Sequence, residues 1–280
     1  MKTLGRACLV SMRSHFTLVS FHAHPDDEAL FTGGTLARAA QHGHRVVLVV
    51  ATAGEAGLAQ CTDPDALAAD RGRELQRSAQ ALGVARVVTL NYPDSGFGGS
   101  RRVDGLGFAD LDPDGPAGVV AEILRSEQAD AITVYDPLGG YGHPDHRQVY
   151  RVGVRAARLA GTRCVLEATL DRGLISAAVG VLRLVPGLLD PSNFSLLAGS
   201  FTGRDRLTHR VDVRPQLDAK LAALAAHASQ AQGGDSVRTL ALLLGLPGPV
   251  QSLVLGHEWF VDRSRPPGRC DDVFASLRGR

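Results

Sequence analysis

Two short clusters of histidine and aspartate could carry catalytic chemistry in this sequence. They are His24–Glu28, with the sequence HPDDE, and Tyr141–His146, with the sequence YGHPDH. Imidazole nitrogens and carboxylate oxygens are zinc ligands, and a catalytic zinc takes three of them while leaving a position for water. The clusters hold more such groups than three ligands require, and hydrolysis also needs a base for the water and an acid for the leaving group. The residue types therefore favour metal-dependent hydrolysis.

Each cluster also has an ordinary structural interpretation when it is taken alone. Proline and acidic side chains are common in the first turn of a helix, which would account for His24–Glu28. A loop rich in glycine and proline, with a capping aspartate, would account for Tyr141–His146. Which interpretation is correct depends on where the two clusters lie in the fold.

Apolar strands alternate with helical segments over the first 170 residues. The predicted strands are Phe16–Phe21, Arg45–Thr52, Val87–Leu90, Ala131–Tyr135 and Cys164–Thr169. The predicted helical segments are Glu28–His42, Asp65–Leu82, Ala117–Gln128 and a helix after His146. This alternation predicts an α/β protein with a doubly wound, mostly parallel, Rossmann-like sheet.

The predicted sheet brings the two clusters together. Each cluster follows the carboxyl end of a strand, and ligands bind to open α/β sheets outside those ends, where the strand order reverses. If the strand order is the common 3-2-1-4-5, the first and fourth strands are neighbours. The two clusters then converge on one crevice.

The alternation fades after residue 170. A strand near Thr208–Val213, a helix at about Pro215–Gln230 and a strand at the sheet edge at His257–Asp262 are predicted there. With no polar linker and no internal repeat, the sequence predicts a single domain over residues 1–280. Residues 16–170 would form the α/β core, and residues 171–280 a C-terminal elaboration that lines the substrate pocket.

The composition excludes several classes of partner. Thirty Lys and Arg face 29 Asp and Glu, so a net charge of +1 favours neither nucleic acid nor an anionic membrane. Four cysteines form no CxxC pair, which fits a reduced, cytoplasmic setting. The most apolar stretch, Gly173–Leu189, contains Arg183 and Pro186, so no membrane span is expected. A homo-oligomer is compatible with the sequence.

The two motifs in this order, together with the predicted sheet, resemble the LmbE-like (PIG-L) zinc-dependent N-deacetylases. Members of that family remove acetyl groups from N-acetylglucosaminyl conjugates, and the mycothiol-conjugate amidases are close relatives. The resemblance covers residues 16–170 and recurs in three later segments, Lys220–Leu224, His227–Gln230 and Glu258–Phe260.

The resemblance implies that His24, Asp27 and His146 hold one zinc ion per chain and that Asp26 is the general base. Bound zinc brings the pKa of water from 15.7 towards about 7, so hydroxide becomes available at neutral pH. Iron, cobalt or manganese can also occupy a site of this ligand type.

The resemblance further implies roles around the reacting amide. Tyr141 would donate a hydrogen bond to the oxyanion, and His143, oriented by Asp145, would protonate the departing amine. Arg71 and Asp94 would contact the sugar hydroxyls; an exposed helix charge and a turn-forming aspartate are the alternatives for these two.

Three hypotheses about function follow. The first is a zinc-dependent hydrolase that removes an N-acetyl or N-acyl group from a small N-acetylglucosamine-type glycoconjugate, with a mycothiol-conjugate-type amidase as its variant. The second is a nucleotide-binding domain, but HPDDE stands where a phosphate cradle needs Gly-x-Gly-x-x-Gly, and its acidic pair would repel phosphate. The third is a non-catalytic metal or glycoconjugate binder, which would need neither Asp26 nor His143.

Residues outside the two motifs carry weaker signals. His227 and the other histidines are interpreted as structural, with His22, two residues before His24, the first candidate for an exception. The apolar segment 173–206 matches no pattern of the family, and we interpret it as a wall of the pocket that favours an apolar aglycone.

Overall fold

The computed structural model describes residues 15–56, 64–97, 105–182, 199–227 and 239–278. Its strands are β1 (Thr17–His22), β2 (Arg45–Thr52), β3 (Arg86–Tyr92), β4 (Ala131–Tyr135), β5 (Cys164–Thr169), β6 (His209–Asp212) and β7 (His257–Asp262). Its helices are α1 (Asp27–Phe31), α2 (Gly33–Gln41), α3 (Pro64–Ala81), α4 (Asp114–Ser126), α5 (Pro144–Ala160), α6 (Arg172–Leu182), α7 (Leu217–Ala226), α8 (Thr239–Gly245), α9 (Gly248–Leu255) and α10 (Ala275–Arg278).

The strands form one sheet in the order β3-β2-β1-β4-β5-β7-β6. The first five are parallel, and β1 pairs with both β2 and β4. In β2 every residue after Arg45 is buried, as expected for a parallel strand with helices on both faces. The predicted fold class and the order 3-2-1-4-5 are therefore confirmed, and β1 and β4 are neighbours.

The C-terminal strands extend this sheet in the antiparallel sense. β7 pairs with β5 on one side and with β6 on the other. The prediction that His257–Asp262 lies at the sheet edge was wrong, because the four-residue strand β6 is the edge. Phe260 in β7 is fully buried, and short strands are a common way to end a sheet.

The helix predicted over Glu28–His42 is broken at Thr32, which separates α1 from α2. A Cβ atom at Gly34 would lie 2.4 Å from Val213 Cβ, so only glycine fits this close packing. The break also exposes a helix N-terminus to Glu258, whose carboxylate accepts the N–H groups of Gly34 and Thr35 at 2.8 Å each. These tertiary contacts divide the predicted helix into α1 and α2, and helical periodicity in the sequence gives no sign of them.

Two C-terminal predictions fall partly outside the described residues. The helix predicted at Pro215–Gln230 is α7, preceded by a 3-10 turn at Arg214–Gln216, and residues 228–230 lie outside the described part. Residues 183–198 of the apolar segment 173–206 lie outside it as well. Within the described ranges, no helix has the length and apolar character needed to cross a membrane.

Candidate metal centre and active site

The two sequence motifs meet at the carboxyl ends of β1 and β4, as predicted. The ring centroids of His24 and His146 are 5.4 Å apart, and those of His24 and His143 are 4.6 Å apart. One nitrogen from each of these three rings lies within 4.8 Å of the others, and all three rings are buried. A second group with the same spacing consists of His24, Asp94, His143 and Asp145.

Helix α5 begins earlier than predicted, and this start positions His146. His143 is the N-cap residue and Pro144 follows it in the first turn, where proline is tolerated because no N–H is needed. His146 therefore lies in the first turn of the helix and faces the end of β1 rather than preceding the helix.

Asp27 connects the histidines of the two motifs. Its Oδ2 atom lies 3.3 Å from His24 Nδ1 and 3.2 Å from His146 Nε2. Burial alone would raise the pKa of Asp27, but His146 and His24 hold it well below its ordinary value. A charged carboxylate between two imidazoles is a suitable ligand for a divalent cation.

His146 supplies the observation that tests whether a metal fits here. Both of its ring nitrogens are buried without a hydrogen-bond partner among the described residues. The contact of its Nε2 with Asp27 is short but lies outside hydrogen-bond geometry. Since buried polar atoms are normally satisfied, a cation beside Nε2 would remove an unfavourable arrangement. The donor set therefore fits a metal site.

A tyrosine that the sequence analysis missed holds the ring of His146 in place. Tyr135, the last residue of β4, stacks on His146 with 4.0 Å between ring centroids and 5° between planes. Its hydroxyl accepts the N–H of Ala23 at 3.1 Å. Groups that orient a ligand ring in this way tune a metal site. The only sign of this role in the sequence is an aromatic residue at the end of a predicted strand.

His22 belongs to a hydroxyl network beneath the site. Its Nε2 lies 2.9 Å from Ser20 Oγ and 3.0 Å from Thr32 Oγ1, and its Nδ1 lies 3.3 Å from the hydroxyl of Tyr135. Burial lowers the pKa of His22 to about 4, so the ring is neutral at pH 7. The structure places it as a support of the site floor.

Asp26 differs from Asp27 in both backbone and environment. It is half-buried, and its φ of 119° is rare for a residue other than glycine. Burial and the adjacent Asp27 raise the pKa of Asp26 to about 7, although Arg71 and His227 act in the opposite direction. A carboxylate that exchanges a proton near pH 7 is suited to acid–base work.

Arg71 is buried rather than an exposed helix charge. It is 3% exposed and donates from Nη1 to the carbonyl oxygen of Gly54. A Cβ at Gly54 would overlap this guanidinium, and the φ of Gly54 is +71°, so the position requires glycine. The Arg71 Nε atom has no hydrogen-bond partner in the part of the chain that the structure describes.

Asp94 is a turn-forming aspartate that also faces the cluster. Its carboxylate accepts the N–H of Gly96 at 2.8 Å and that of Ala56 at 3.2 Å, as a turn-forming aspartate does. It also faces the cluster, with Oδ1 3.6 Å from His24 Nε2. Burial would raise the pKa of Asp94, but its contact with His24 outweighs that effect and lowers it.

Asp145 contacts His143 through its main chain. Its N–H donates to His143 Nδ1 at 3.1 Å, whereas its carboxylate accepts the N–H of Ser95 at 3.0 Å and the Ser95 hydroxyl at 2.5 Å. The same carboxylate lies 3.3 Å from His24 Nε2. Because Nδ1 of His143 accepts, the proton of the neutral ring is on Nε2. Burial lowers the pKa of His143 to about 3, so the neutral ring is the form present at pH 7.

Tyr141 lies beside the cluster on a loop that Asp136 anchors. The Tyr141 ring is 5.1 Å from the ring of His146. Asp136 accepts the N–H groups of Leu138 and Gly140 at 3.0 Å each through Oδ1, and the Thr169 hydroxyl at 2.6 Å through Oδ2. The sequence analysis missed Asp136, whose partner on β5 is distant in the chain.

Comparisons with known proteins identify relatives of this chain. The family model described as "PIG-L: GlcNAc-PI de-N-acetylase" matches residues 19–157. The chain is 34% identical over 276 residues to 1D-myo-inositol 2-acetamido-2-deoxy-alpha-D-glucopyranoside deacetylase 2 of Catenulispora acidiphila, and the match covers 87% of each chain. The corresponding deacetylase of Nocardia farcinica is 35% identical over 292 residues, covering 94% of this chain and 97% of the relative.

Solved structures show the same fold at lower identity. The N,N'-diacetylchitobiose deacetylase from Pyrococcus horikoshii superposes with a TM-score of 0.57 at 21% identity, covering 90% of this chain and 84% of that one. The 4-carboxy-2-hydroxymuconate hydratase from Pseudomonas putida gives 0.58 at 15% identity, covering 91% and 99%. Proteins with different names thus share this fold, so the site has to carry the argument about activity.

Proposed function

The chain belongs to the PIG-L family, and from this premise we propose that it is a metal-dependent N-deacetylase that releases acetate from a small N-acetylglucosaminyl glycoconjugate. The observation that carries the proposal is the buried contact of Asp27 with His24 and His146, beside a second carboxylate, Asp26, whose pKa is near neutrality. The similarity to curated deacetylases of an N-acetylglucosaminyl inositol supports this substrate class.

We propose zinc as the metal, held by His24, Asp27 and His146. Two imidazoles and one carboxylate form a common catalytic zinc set. When bound, zinc would supply the Lewis acidity that amide hydrolysis needs at neutral pH. The unpartnered nitrogens of buried His146 support a cation at this point.

The protein side chains would divide the remaining chemistry. Asp26 takes the proton of the attacking water, since its raised pKa makes it a stronger base than an ordinary carboxylate. The Tyr141 hydroxyl donates a hydrogen bond to the oxyanion that forms when water adds to the amide carbonyl. Arg71 and Asp94 are buried close to the cluster, where a charged fork and a carboxylate suit sugar hydroxyls.

The departing amine needs one proton, and two residues could supply it. The family resemblance implies His143 for this step, but a charged His143 would have to break the hydrogen bond from the Asp145 N–H to its Nδ1. Asp26 already holds a proton after the water has attacked. We therefore propose that Asp26 returns this proton to the amine, while Nε2–H of His143 donates a hydrogen bond beside it.

The C-terminal elaboration would form the aglycone side of the pocket. A cavity of about 480 Å³ in this part of the chain is lined by Trp259, Leu174, Leu207 and several arginines, and none of its lining residues belongs to the two motifs. Trp259 pairs with Thr169, at the carboxyl end of β5. We expect Trp259→Ala to raise KM for substrates with a bulky aglycone more than for a methyl N-acetylglucosaminide.

A single set of measurements tests the proposed function. Purified protein is assayed for bound metal and for acetate and amine released from N-acetylglucosaminyl inositol, alongside Asp26→Asn and the exposed control Asp218→Asn. We expect bound zinc, equal amounts of acetate and amine, loss of both in Asp26→Asn, and no change in Asp218→Asn. Amine without acetate from an S-conjugate of mycothiol would favour the amidase alternative. Zinc without either product would indicate a binding protein.

A further inference from the structure

The backbone of Asp26 has a conformation that local sequence does not favour. Its φ of 119° and ψ of −31° lie outside the regions that non-glycine residues usually occupy. Such a conformation is strained, and it persists only when its surroundings hold it there. The surroundings of Asp26 should therefore contain a group that fixes its main chain.

Glu28 is that group. Its Oε2 atom accepts the N–H of Asp26 at 3.0 Å. Its Oε1 atom accepts the Ser78 hydroxyl at 2.5 Å and the Nε2–H of His227 at 2.7 Å. Glu28, Ser78 and His227 are all fully buried. A buried carboxylate needs such donors, and with all three in place it cannot turn away from Asp26.

His227 brings a distant part of the chain to this contact. It follows the last residue of α7, 199 residues from Glu28 in the sequence, and its N–H closes the helix on the carbonyl of Leu224. α7 packs against α1, α2 and α3. Ser78 lies on α3, so Glu28 joins three helices.

The two adjacent aspartates need different environments if one binds the metal and the other moves a proton. Asp27 contacts His24 and His146. Asp26 is acted on by the charges of Arg71 and His227 in addition to those of Asp27 and His24. The unusual φ of Asp26 is the point at which the two neighbouring residues diverge.

We infer that Glu28, held by His227 and Ser78, is a positioning residue that keeps the main chain of Asp26 in the conformation its role as base requires. The inference rests on the proposed function, since it takes Asp26 as the base. If the contact between α7 and α1 were only structural, it would stabilise the fold, and its loss would not lower kcat beyond the effect of the lower stability.

The experiment compares His227→Ala with His227→Gln, whose side-chain amide can still donate to Glu28. His42→Ala, at an exposed histidine, is the control. For each protein we measure bound zinc, Tm, kcat and KM for acetate release, and a crystal structure gives the φ of Asp26. We expect kcat of His227→Ala to fall about 10- to 100-fold, as for a small misplacement of a catalytic group, with KM and bound zinc unchanged. His227→Gln should recover most of kcat.

A second variant keeps the inference testable if His227→Ala does not fold. Ser78→Ala removes one donor to Glu28 and leaves the other two, so we expect a smaller fall in kcat with a folded protein. Wild-type kcat in a zinc-loaded His227→Ala protein would overturn the inference. So would equal losses of kcat in the Ala and Gln variants that follow their losses of Tm.

The crystal structures separate this inference from the proposed function. If the wild-type protein releases no acetate but Asp26 relaxes to a negative φ in His227→Ala, the proposed function fails and the positioning contact stands. If the φ of Asp26 stays near its wild-type value without His227, the positioning contact is wrong whatever the activity.

Discussion

Two buried charged clusters in this protein differ in how well their polar atoms are paired. The first, here the helix clamp, is Glu258 with Lys220 and the N-terminus of α2. Glu258 Oε1 accepts Lys220 Nζ at 2.6 Å and the N–H of Gly34 at 2.8 Å, and Oε2 accepts the N–H of Thr35. Both oxygens of the buried carboxylate are thus satisfied.

The second, here the catalytic cluster, consists of His24, Asp27, His143, Asp145 and His146. It is equally buried, yet His146 has two nitrogens without a hydrogen-bond partner in the described structure. Burial of charge is common to both clusters, so it does not identify function. The pairing differs more in His146 than elsewhere: both of its ring nitrogens are unpaired, against one in His209 and one in His227 in the described structure, and an unsatisfied buried group is unfavourable unless something else binds it.

His146→Ala should produce the largest effect. It removes a proposed ligand, so we expect loss of bound zinc and of measurable turnover, with a folded protein. Elemental analysis after dialysis and circular dichroism measure the two properties. His209→Ala, at a buried histidine on the edge strand β6, should retain zinc. Stoichiometric zinc in His146→Ala would remove this residue from the ligand set.

Asp26→Asn, next to the catalytic cluster, should separate chemistry from metal binding. Removing a general base typically costs about 10²- to 10⁴-fold in rate, and we expect a fall of that size in kcat with zinc retained. Steady-state assays on zinc-loaded protein measure it. Activity within a factor of about two of wild type would assign the base to another residue.

Lys220→Met tests the helix clamp. It leaves the Glu258 carboxylate buried without its cation, which should lower the free energy of unfolding by about 3–5 kcal/mol. Arg38→Met, which removes the half-buried partner of the exposed carboxylate of Asp271, should cost no more than about 1 kcal/mol. Urea denaturation measures both. A change in zinc affinity of folded Lys220→Met would show that the clamp and the catalytic cluster are coupled.

Tyr141→Phe should reduce transition-state stabilisation by about 2.7–4 kcal/mol, the usual cost of removing an oxyanion donor. The reduction should appear in kcat rather than in KM, because the hydrogen bond strengthens only as the oxyanion forms. The kinetic constants of variant and wild type measure this. Unchanged kcat would exclude the hydroxyl from that role.

The pH dependence should show the smallest effect. Asp26 accepts a proton only when charged, and its pKa is raised to about 7, so the working form is lost as the pH falls through that value. A bound cation nearby favours the charged form and moves this limb to lower pH. We expect kcat/KM to fall about tenfold per pH unit on the acid side. A pH-independent residual rate in Asp26→Asn would support the assignment.

The parallel half of the fold was predictable because its signals are local. Continuous apolar runs such as Arg45–Thr52 mark buried strands, and the helical segments between them imply parallel pairing. The edge position of His257–Asp262 was predicted wrongly because the neighbours of a strand depend on which distant segment returns to it. The break at Thr32 was missed for the same reason, since Glu258 stabilises it from β7.

The same distinction between local signals and contacts of distant residues applies to the catalytic cluster. Residues within each motif were identifiable because a few positions along the chain hold several ligand types at once. Glu28 and His227 were not identified as partners, and His227 was interpreted as structural. Their contact joins residues 199 positions apart, so no local pattern in the sequence pairs them.

The sequence by itself determined the strands of the parallel half and the two short motifs with their potential ligands, because each depends on residue types and spacing within a short stretch. Only the tertiary structure decided which polar groups are paired, which are left open to a metal, and which distant side chains hold Asp26 in place. Pairing of buried charges is a property of contacts between separate elements, and those contacts exist only after the chain has folded.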